Sequence, residues 1–425
     1  MISRIVIKSL FGLYNYNIGF DSNLQIITGP NGYGKTTILT IIKNLFEKKF
    51  WYFYYLDFES ITVDIVEQNI SKSINIVRTR YEISDNEDNR SGLKVEFYFN
   101  NEKKFEIDDR YIQRLCRDYD YRFRPRTFYE RYAIKSEDEF LSFAYNPKRD
   151  EYIKKFGNEL DLLFGDKSIN FIGANRIYRN NGYNHNSEEL IKYTIDEISS
   201  ELGKEYEKQQ NNFAEESRKI DAGFIKRLIN EDSPVVSDEQ LEINIQELET
   251  TIQNYRKFNI VAQDFVIEKF GEYSDKYKDA ISLYISDMRK KMEIFKPFYD
   301  KLETFQSFIS EKGLSDKQIE FSSEGIKIIN TNGVTLENLH KLSSGEQNLL
   351  ILYYNLIFKS NKYTVLLIDE PENSMHMAWL NDMLSDYKKV ADNIGCQIII
   401  ATHSPAFIKG EWNLTYDLFE QTTNQ

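Results

Sequence analysis

The chain has little cysteine: Cys116 and Cys396 are its only two, and they form no CxxC pair, which removes CxxC-type redox and zinc motifs. Nothing at the N-terminus runs from charged to apolar in the manner of a signal peptide. A cytoplasmic protein is therefore expected. Long hydrophobic runs are missing too, since no stretch approaches the ~18 apolar residues of a membrane span, so no integral membrane role is expected. The nearest candidate, KKFWYFYYLDF, is short and polar-edged and reads as a buried aromatic strand. Positive charge is outweighed by negative, with 54 Lys and Arg against 67 Asp and Glu. A formal net charge of -13 opposes indiscriminate binding to a nucleic-acid backbone, so any such contact needs a local basic patch. What the sequence does have is 41% hydrophobic residues, with 29 Tyr and 29 Phe. That composition is globular rather than disordered.

RIVIKSLFGLYNYNIGF alternates as strand, turn and strand, and LQIITGPNGYGKTTILTIIKNLF continues as strand, glycine-rich loop and amphipathic helix. Residues 1–50 thus form a phosphate-binding unit. Strand-like runs such as SINIVRTRYEI and LKVEFYFN, separated by polar turns, make 51–168 a β-rich and mixed insertion. Residues 169–186 carry the apolar strand INFIGANR. The polar stretch 187–312 has apolar residues at helical spacing but no sustained seven-residue repeat, so short packed helices are expected, broken at SPVVSDEQ, rather than a long coiled coil. Residues 313–425 return to strand pairs, then a polar loop feeding an apolar helix (LSSGEQNLLILYYNLIF), then two fully apolar strands, YTVLLIDEPE and CQIIIATHSP. With only a short stretch beyond His403, no further catalytic domain is expected there.

GPNGYGKTT fits G-x-x-x-x-G-K-[ST] with Gly29, Gly34, Lys35 and Thr36. The glycines let backbone N–H groups turn toward phosphate oxygens, Lys35 reaches the β- and γ-phosphates, and the Thr36 hydroxyl ligates Mg²⁺. Asn31, Gly32 and Thr37 complete the nucleotide-binding set. Asp369 and Glu370 end an apolar strand, where a parallel sheet delivers side chains to the phosphate end. Asp369 is the second candidate for Mg²⁺, acting through water, and Glu370 is the general base for the attacking water. LSSGEQ is a second loop at a helix N-terminus, with free N–H groups and the positive end of the helix dipole. One ATP does not need two such loops from one chain, so a second subunit presenting its loop across the γ-phosphate is the simplest account.

GPNGYGKTT, LSSGEQ, LLIDEPE and ATHS resemble the Walker A, signature, Walker B and switch-histidine motifs of ABC-type ATPases, in that family's order. The resemblance implies that Ser343, Ser344 and Gly345 act in trans and that His403 senses the γ-phosphate, in a homodimer or higher homo-oligomer. More narrowly, the chain resembles the soluble AAA_15/AAA_21 (OLD-like) group, which includes ATPase subunits of bacterial anti-phage systems such as Septu, PARIS and several retrons. EPENSMHMAW is similar to that group's EPExxLHxxW stretch, and SRKIDAGFIKRL, FIGANR and ATHSPAFI also look like its members. The fold expected is α/β, an ABC-type P-loop ATPase core with a mixed sheet, interrupted by a β-rich insertion and a helical insertion. Two positions depart from the pattern. Where ABC transporters carry a glutamine loop, INFIGANR offers Asn175 and Arg176, and Arg176 reads either as a contact to phosphate or water or as a structural salt bridge. Tyr33 replaces a small residue inside the cradle, and its ring is expected to point outward, toward a partner or the nucleotide base.

RYIQRLCRDYDYRFRPRTFYERY gathers Arg110, Arg114, Arg117, Arg122, Arg124, Arg126 and Arg131 among aromatics. Such a cluster serves a solvated face, a protein interface or nucleic acid, where arginine pairs phosphates and aromatic rings stack on bases. The functional expectation is an ATP-hydrolysing switch that dimerises around ATP and controls a separate effector, a nuclease or toxin as the anti-phage resemblance implies. The alternative is a DNA-binding repair or chromosome-maintenance ATPase of the SMC-like type. A transporter motor is disfavoured by the about 300 residues between the Walker A and signature motifs.

Overall fold

The computed structural model describes residues 1–67, 70–85, 88–120, 145, 150–183, 189–230, 237–265, 277–314, 317–336 and 338–423. The chain has a mixed α/β fold and divides into two compact units, Met1–Lys192 with Lys359–Gln425, and Tyr193–Phe358. Among the described residues no helix is long and apolar enough to cross a membrane.

The first unit is built on two larger sheets. Strands β1 (Ile2–Leu10) and β2 (Tyr14–Gly19) form the N-terminal hairpin, and β4 (Ser60–Glu67), β5 (Ile70–Asp85), β6 (Asp88–Phe99) and β7 (Glu102–Asp108) extend it into an antiparallel sheet of order β2-β1-β4-β5-β6-β7. The strands read from sequence as a β-rich insertion are therefore continuous with the hairpin. Alternation sends Ile61, Val63 and Ile65 inward from β4 and Val95, Phe97 and Phe99 from β6. In β1 a register shift between Ile2 and Arg4 lets both Ile2 and Ile5 face the core, three positions apart.

The second sheet is parallel throughout, with order β16-β3-β15-β14-β8, where β3 is Leu24–Thr28, β8 Ser168–Ile172, β14 Thr364–Asp369, β15 Gln397–Ala401 and β16 Thr415–Asp417. β3, β14 and β15 are buried along their whole length, which is why they read as unbroken apolar runs. One apolar core joins both sheets to Ile38, Leu39, Ile41, Ile42 and Leu45 of the helix Lys35–Phe46.

The aromatic run is not a strand. Trp51–Tyr55 is a short helix that buries Trp51 and Phe53, with Phe53 edge-on to Phe97 at 5.9 Å. Apolar residues on every side hid its period, and the turn at Lys48–Lys49, where Lys49 N donates to Asn44 O, leaves no extended path.

In the second unit the helix Thr194–Ala222 is 29 residues long, longer than the short packed helices expected. Ile195, Ile198, Leu202 and Tyr206 bury its first half. Its second half is polar and carries pairs such as Lys219 with Glu215 and Glu216. Further helices at Phe224–Ile229, Asp238–Lys257, Lys278–Glu293 and Lys296–Lys312 precede a sheet of β11 (Lys317–Ser322), β12 (Gly325–Asn330) and β13 (Thr335–Leu336), and then the helix Ser344–Phe358. Residues 233–236 of the break expected at SPVVSDEQ lie outside the described residues, and Ser237 caps the helix Asp238–Lys257. The boundary at 358/359 puts the LSSGEQ helix in this unit rather than with the Walker B strand.

Candidate nucleotide site

Parallel strands deliver their C-terminal ends to one edge of a sheet, and four of the expected pieces share such an edge. β3 leads into residues 29–34, β14 into Glu370, β15 into Thr402 and His403, and β8 into Gly173–Arg176.

In the first loop Gly34 adopts φ +85° as the N-cap of Lys35–Phe46, with no side chain capping that helix. A Cβ on Gly34 would stand 3.0 Å from Leu10 Cδ2, whereas one on Gly32, at φ +88°, would meet nothing within 4 Å. Asn31 and Gly32 are exposed, and Thr37 is half-buried. The Lys35 ammonium folds back onto the carbonyls of Gly29 (2.8 Å) and Pro30 (3.1 Å). Burial lowers its pKa, against the opposing pull of Glu370, Asp369, Glu372 and Asp417. Tyr33 does not point outward. Its ring packs against Tyr14 and Phe419, with centroids at 5.2 and 5.8 Å, and its carbonyl accepts the Tyr16 hydroxyl at 2.7 Å. Apolar ring area is better placed on neighbouring rings than in water.

Thr36 and Asp369, 333 residues apart, meet directly: the Thr36 hydroxyl donates to both Asp369 oxygens, at 3.1 and 2.9 Å. Burial pushes the Asp369 carboxyl upward, the Thr36 hydrogen bond opposes this, and neighbouring Glu370 adds to it. A hydroxyl and a buried carboxylate side by side are hard oxygen donors that fit Mg²⁺. Glu370 stands at φ +47°, a region in which a residue other than glycine is strained by about 1–3 kcal/mol. Its backbone is held from two sides, by its N–H on Ala401 O and by the Arg176 guanidinium on its carbonyl. Its Oε1 lies 3.5 Å from His403 Nδ1.

Arg176 is buried, at 5% exposure, while Asn175 beside it is exposed. Desolvation lowers the guanidinium pKa, against the pull of Tyr387, Glu372, Asp369 and Glu370. Among the described residues its Nε and Nη1 have no hydrogen-bond partner. Sequence reasoning did not single out Glu372. Its carboxylate accepts the Thr402 hydroxyl at 2.6 Å and lies 3.6 Å from His403 Nδ1. The available signal was a further acid in E-P-E, directly after a strand end that already carried two.

The second loop is organised within its own unit. Ser343 Oγ and N both donate to Glu346 Oε2 (2.8 and 2.9 Å), and Glu346 N donates back to Ser343 Oγ (3.3 Å), a capping box. Burial works to raise the Glu346 pKa, but the Lys317 ammonium and the two Ser343 donors more than offset it and hold the carboxyl below its ordinary range. Ser343 and Ser344 are exposed and Gly345 is half-buried.

Of the arginine cluster, Arg110 and Arg114 stand exposed on the helix Asp109–Asp120, with Arg114 paired to Glu151 at 2.8 Å. Arg122, Arg124, Arg126 and Arg131, and the side chain of Arg117, lie outside the described residues.

No curated protein matches the chain. Solved structures similar to it include the SmcHead bound to the C-winged helix domain of ScpA (11% identity, TM-score 0.40). Others are the Smc head domain with an extended coiled coil bound to the C-terminal domain of ScpA from Pyrococcus furiosus (15%, 0.37) and the SMC head domain from Thermotoga maritima (12%, 0.36). Each covers 96% of this chain and 91% of its own. The AAA ATPase domain family (AAA_15) matches residues 1–408, and the chain belongs to that family.

Proposed function

We propose that this AAA ATPase is a switch that dimerises around ATP and Mg²⁺, reopens on hydrolysis and controls a separate effector, a nuclease or toxin, in bacterial anti-phage defence. The observation that carries the reading is the convergence of Thr36, Asp369, Glu370 and His403 at one sheet edge, from three separate strand ends. Residues 29–34 turn backbone donors toward phosphate, and Lys35 exchanges the carbonyls of Gly29 and Pro30 for phosphate oxygens. Thr36 and Asp369 hold Mg²⁺, which when bound neutralises charge on the phosphates. Glu370, fixed at both backbone ends, takes the proton of the attacking water, and His403 reports on the γ-phosphate. Ser343, Ser344 and Gly345 of a second copy close over the same ATP. The link to anti-phage defence rests on the EPENSMHMAW, FIGANR and ATHSPAFI resemblances.

The test is Glu370→Gln. Phosphate release should fall by roughly 10²–10⁴-fold with nucleotide binding retained, and ATP should trap a dimer in light scattering. Hydrolysis at the wild-type rate would sink the mechanism. A pull-down of this variant from its host with ATP then asks for the effector: a stoichiometric protein partner supports the switch, and DNA without one favours the DNA-binding alternative.

A further inference from the structure

We propose that Glu372 is a positioning residue of the ATPase site, holding the Thr402–His403 turn so that the imidazole is presented to Glu370. The inference rests on the reading of Glu370 and His403 given above.

Glu372 Oε1 accepts the Thr402 hydroxyl at 2.6 Å and the His403 N–H at 3.4 Å. The same oxygen lies 3.6 Å from His403 Nδ1, whose other acidic neighbour is Glu370 Oε1 at 3.5 Å. Thr402 passes the constraint onward: its Oγ1 accepts Ser404 N at 3.0 Å, and Ser404 caps the helix Pro405–Ile408. Thr402 N also donates to Ile27 O, which ties the turn to β3. Glu372 thus holds a turn that is itself tied, through Thr402, to the strand that precedes the cradle.

A neutral side chain would serve as acceptor for Thr402 at lower cost. The Glu372 side chain is only 9% exposed, and its Oε2 is buried with no hydrogen-bond partner among the described residues. Burying a carboxylate in that way is unfavourable unless its charge is used. Two neighbours can use it: the His403 ring at 3.6 Å when it carries a proton, and Arg176, which lies within electrostatic reach and bonds the Glu370 carbonyl. Removing Glu372 should loosen the ring while leaving the phosphate loop intact.

The experiment combines Glu372→Gln, Glu372→Ala and Glu372→Asp with His403→Ala, measuring kcat, ATP affinity and amide hydrogen exchange in the nucleotide-free protein. Glu372→Gln should lower kcat about tenfold or more with ATP affinity within about twofold, and Glu372→Asp should restore part of the loss. Because the residue acts through the ring, Glu372→Ala should add nothing to His403→Ala. Exchange at Thr402–Ser404 should quicken in Glu372→Ala. Wild-type kcat in Glu372→Gln, a loss seen in affinity instead of kcat, or losses that multiply with His403→Ala would overturn the proposal. If the wild-type protein hydrolyses no ATP, the switch reading falls on its own. Exchange then decides the matter, and an unchanged rate at Thr402–Ser404 rejects the role of Glu372.

Discussion

The loop ahead of Lys35 and the loop ahead of Ser344 each feed the N-terminus of a largely buried helix, and each leaves that end facing an anion in the proposed function. Gly34 caps its helix with backbone conformation alone and no side-chain bond, so the first N–H groups have no side-chain acceptor. Ser343 and Glu346 instead satisfy each other, and Lys317 neutralises the acid. A loop that holds its ligand throughout the cycle keeps its donors available. In the proposed function the second loop meets its ligand only when two copies close, so it has to be stable alone, and the capping box satisfies its polar groups meanwhile.

Asp369→Asn should widen this contrast most. Mg²⁺-dependent hydrolysis should fall at least about 100-fold, while thermal unfolding of the nucleotide-free protein should be no earlier than wild type, because burial already disfavours the charge. A clear loss of thermal stability would contradict that account. Gly34→Ala comes next: positive φ plus a 3.0 Å approach to Leu10 should cost about 1–3 kcal/mol and weaken ATP binding. Gly32→Ala, with open space around it, should cost only the φ term of about 1–2 kcal/mol. Calorimetric unfolding with ATP titration separates the two, and equal losses would show that contact with Leu10 is immaterial.

Glu346→Gln should cost about 1 kcal/mol and weaken ATP-driven dimerisation without changing ATP affinity of the monomer. Its pH signature follows from the sign of the shift. The folded pKa is depressed, so the contribution is complete above the ordinary value of 4.5 and is lost as pH falls through the folded value. The stability gap between wild type and variant should therefore close in acid, and a gap unchanged by pH would break the assignment. Tyr33→Ser removes the contacts to Tyr14 and Phe419, about 0.5–1.5 kcal/mol for each ring pair beyond the area lost, readable as a shift in urea midpoint.

The phosphate loop and its distant partners were legible because parallel strands buried on both faces leave unbroken apolar runs, and the chemistry stands at their ends. Trp51–Tyr55 was not, since aromatics on every side carry no period. Tyr33 was misread because its partners, Tyr14 and Phe419, are brought to it only by tertiary folding. Glu372 escaped notice for a similar reason: its importance lies in Thr402 and His403, thirty positions downstream. The allocation of the LSSGEQ helix to the second unit depends on its packing against the helices Thr194–Ala222 and Lys296–Lys312, which an apolar helix buried on every side does not announce in sequence.

β3, the strand that carries the phosphate loop, is flanked by β15 on one side and β16 on the other, and Leu418 stands 3.2 Å from where a Cβ on Gly29 would lie. Both neighbours lie far downstream. At translation rates of about 5–20 residues per second, the roughly 390 residues from Ile26 to Thr415 take roughly 20–80 s to emerge from the ribosome. For most of that interval, until β15 is made, β3 has neither hydrogen-bonded neighbour, and the cradle lacks the packing that surrounds Gly29. Assembly of the loop 29–34 on its strand is thereby deferred until β15, β16 and Leu418 have all been made.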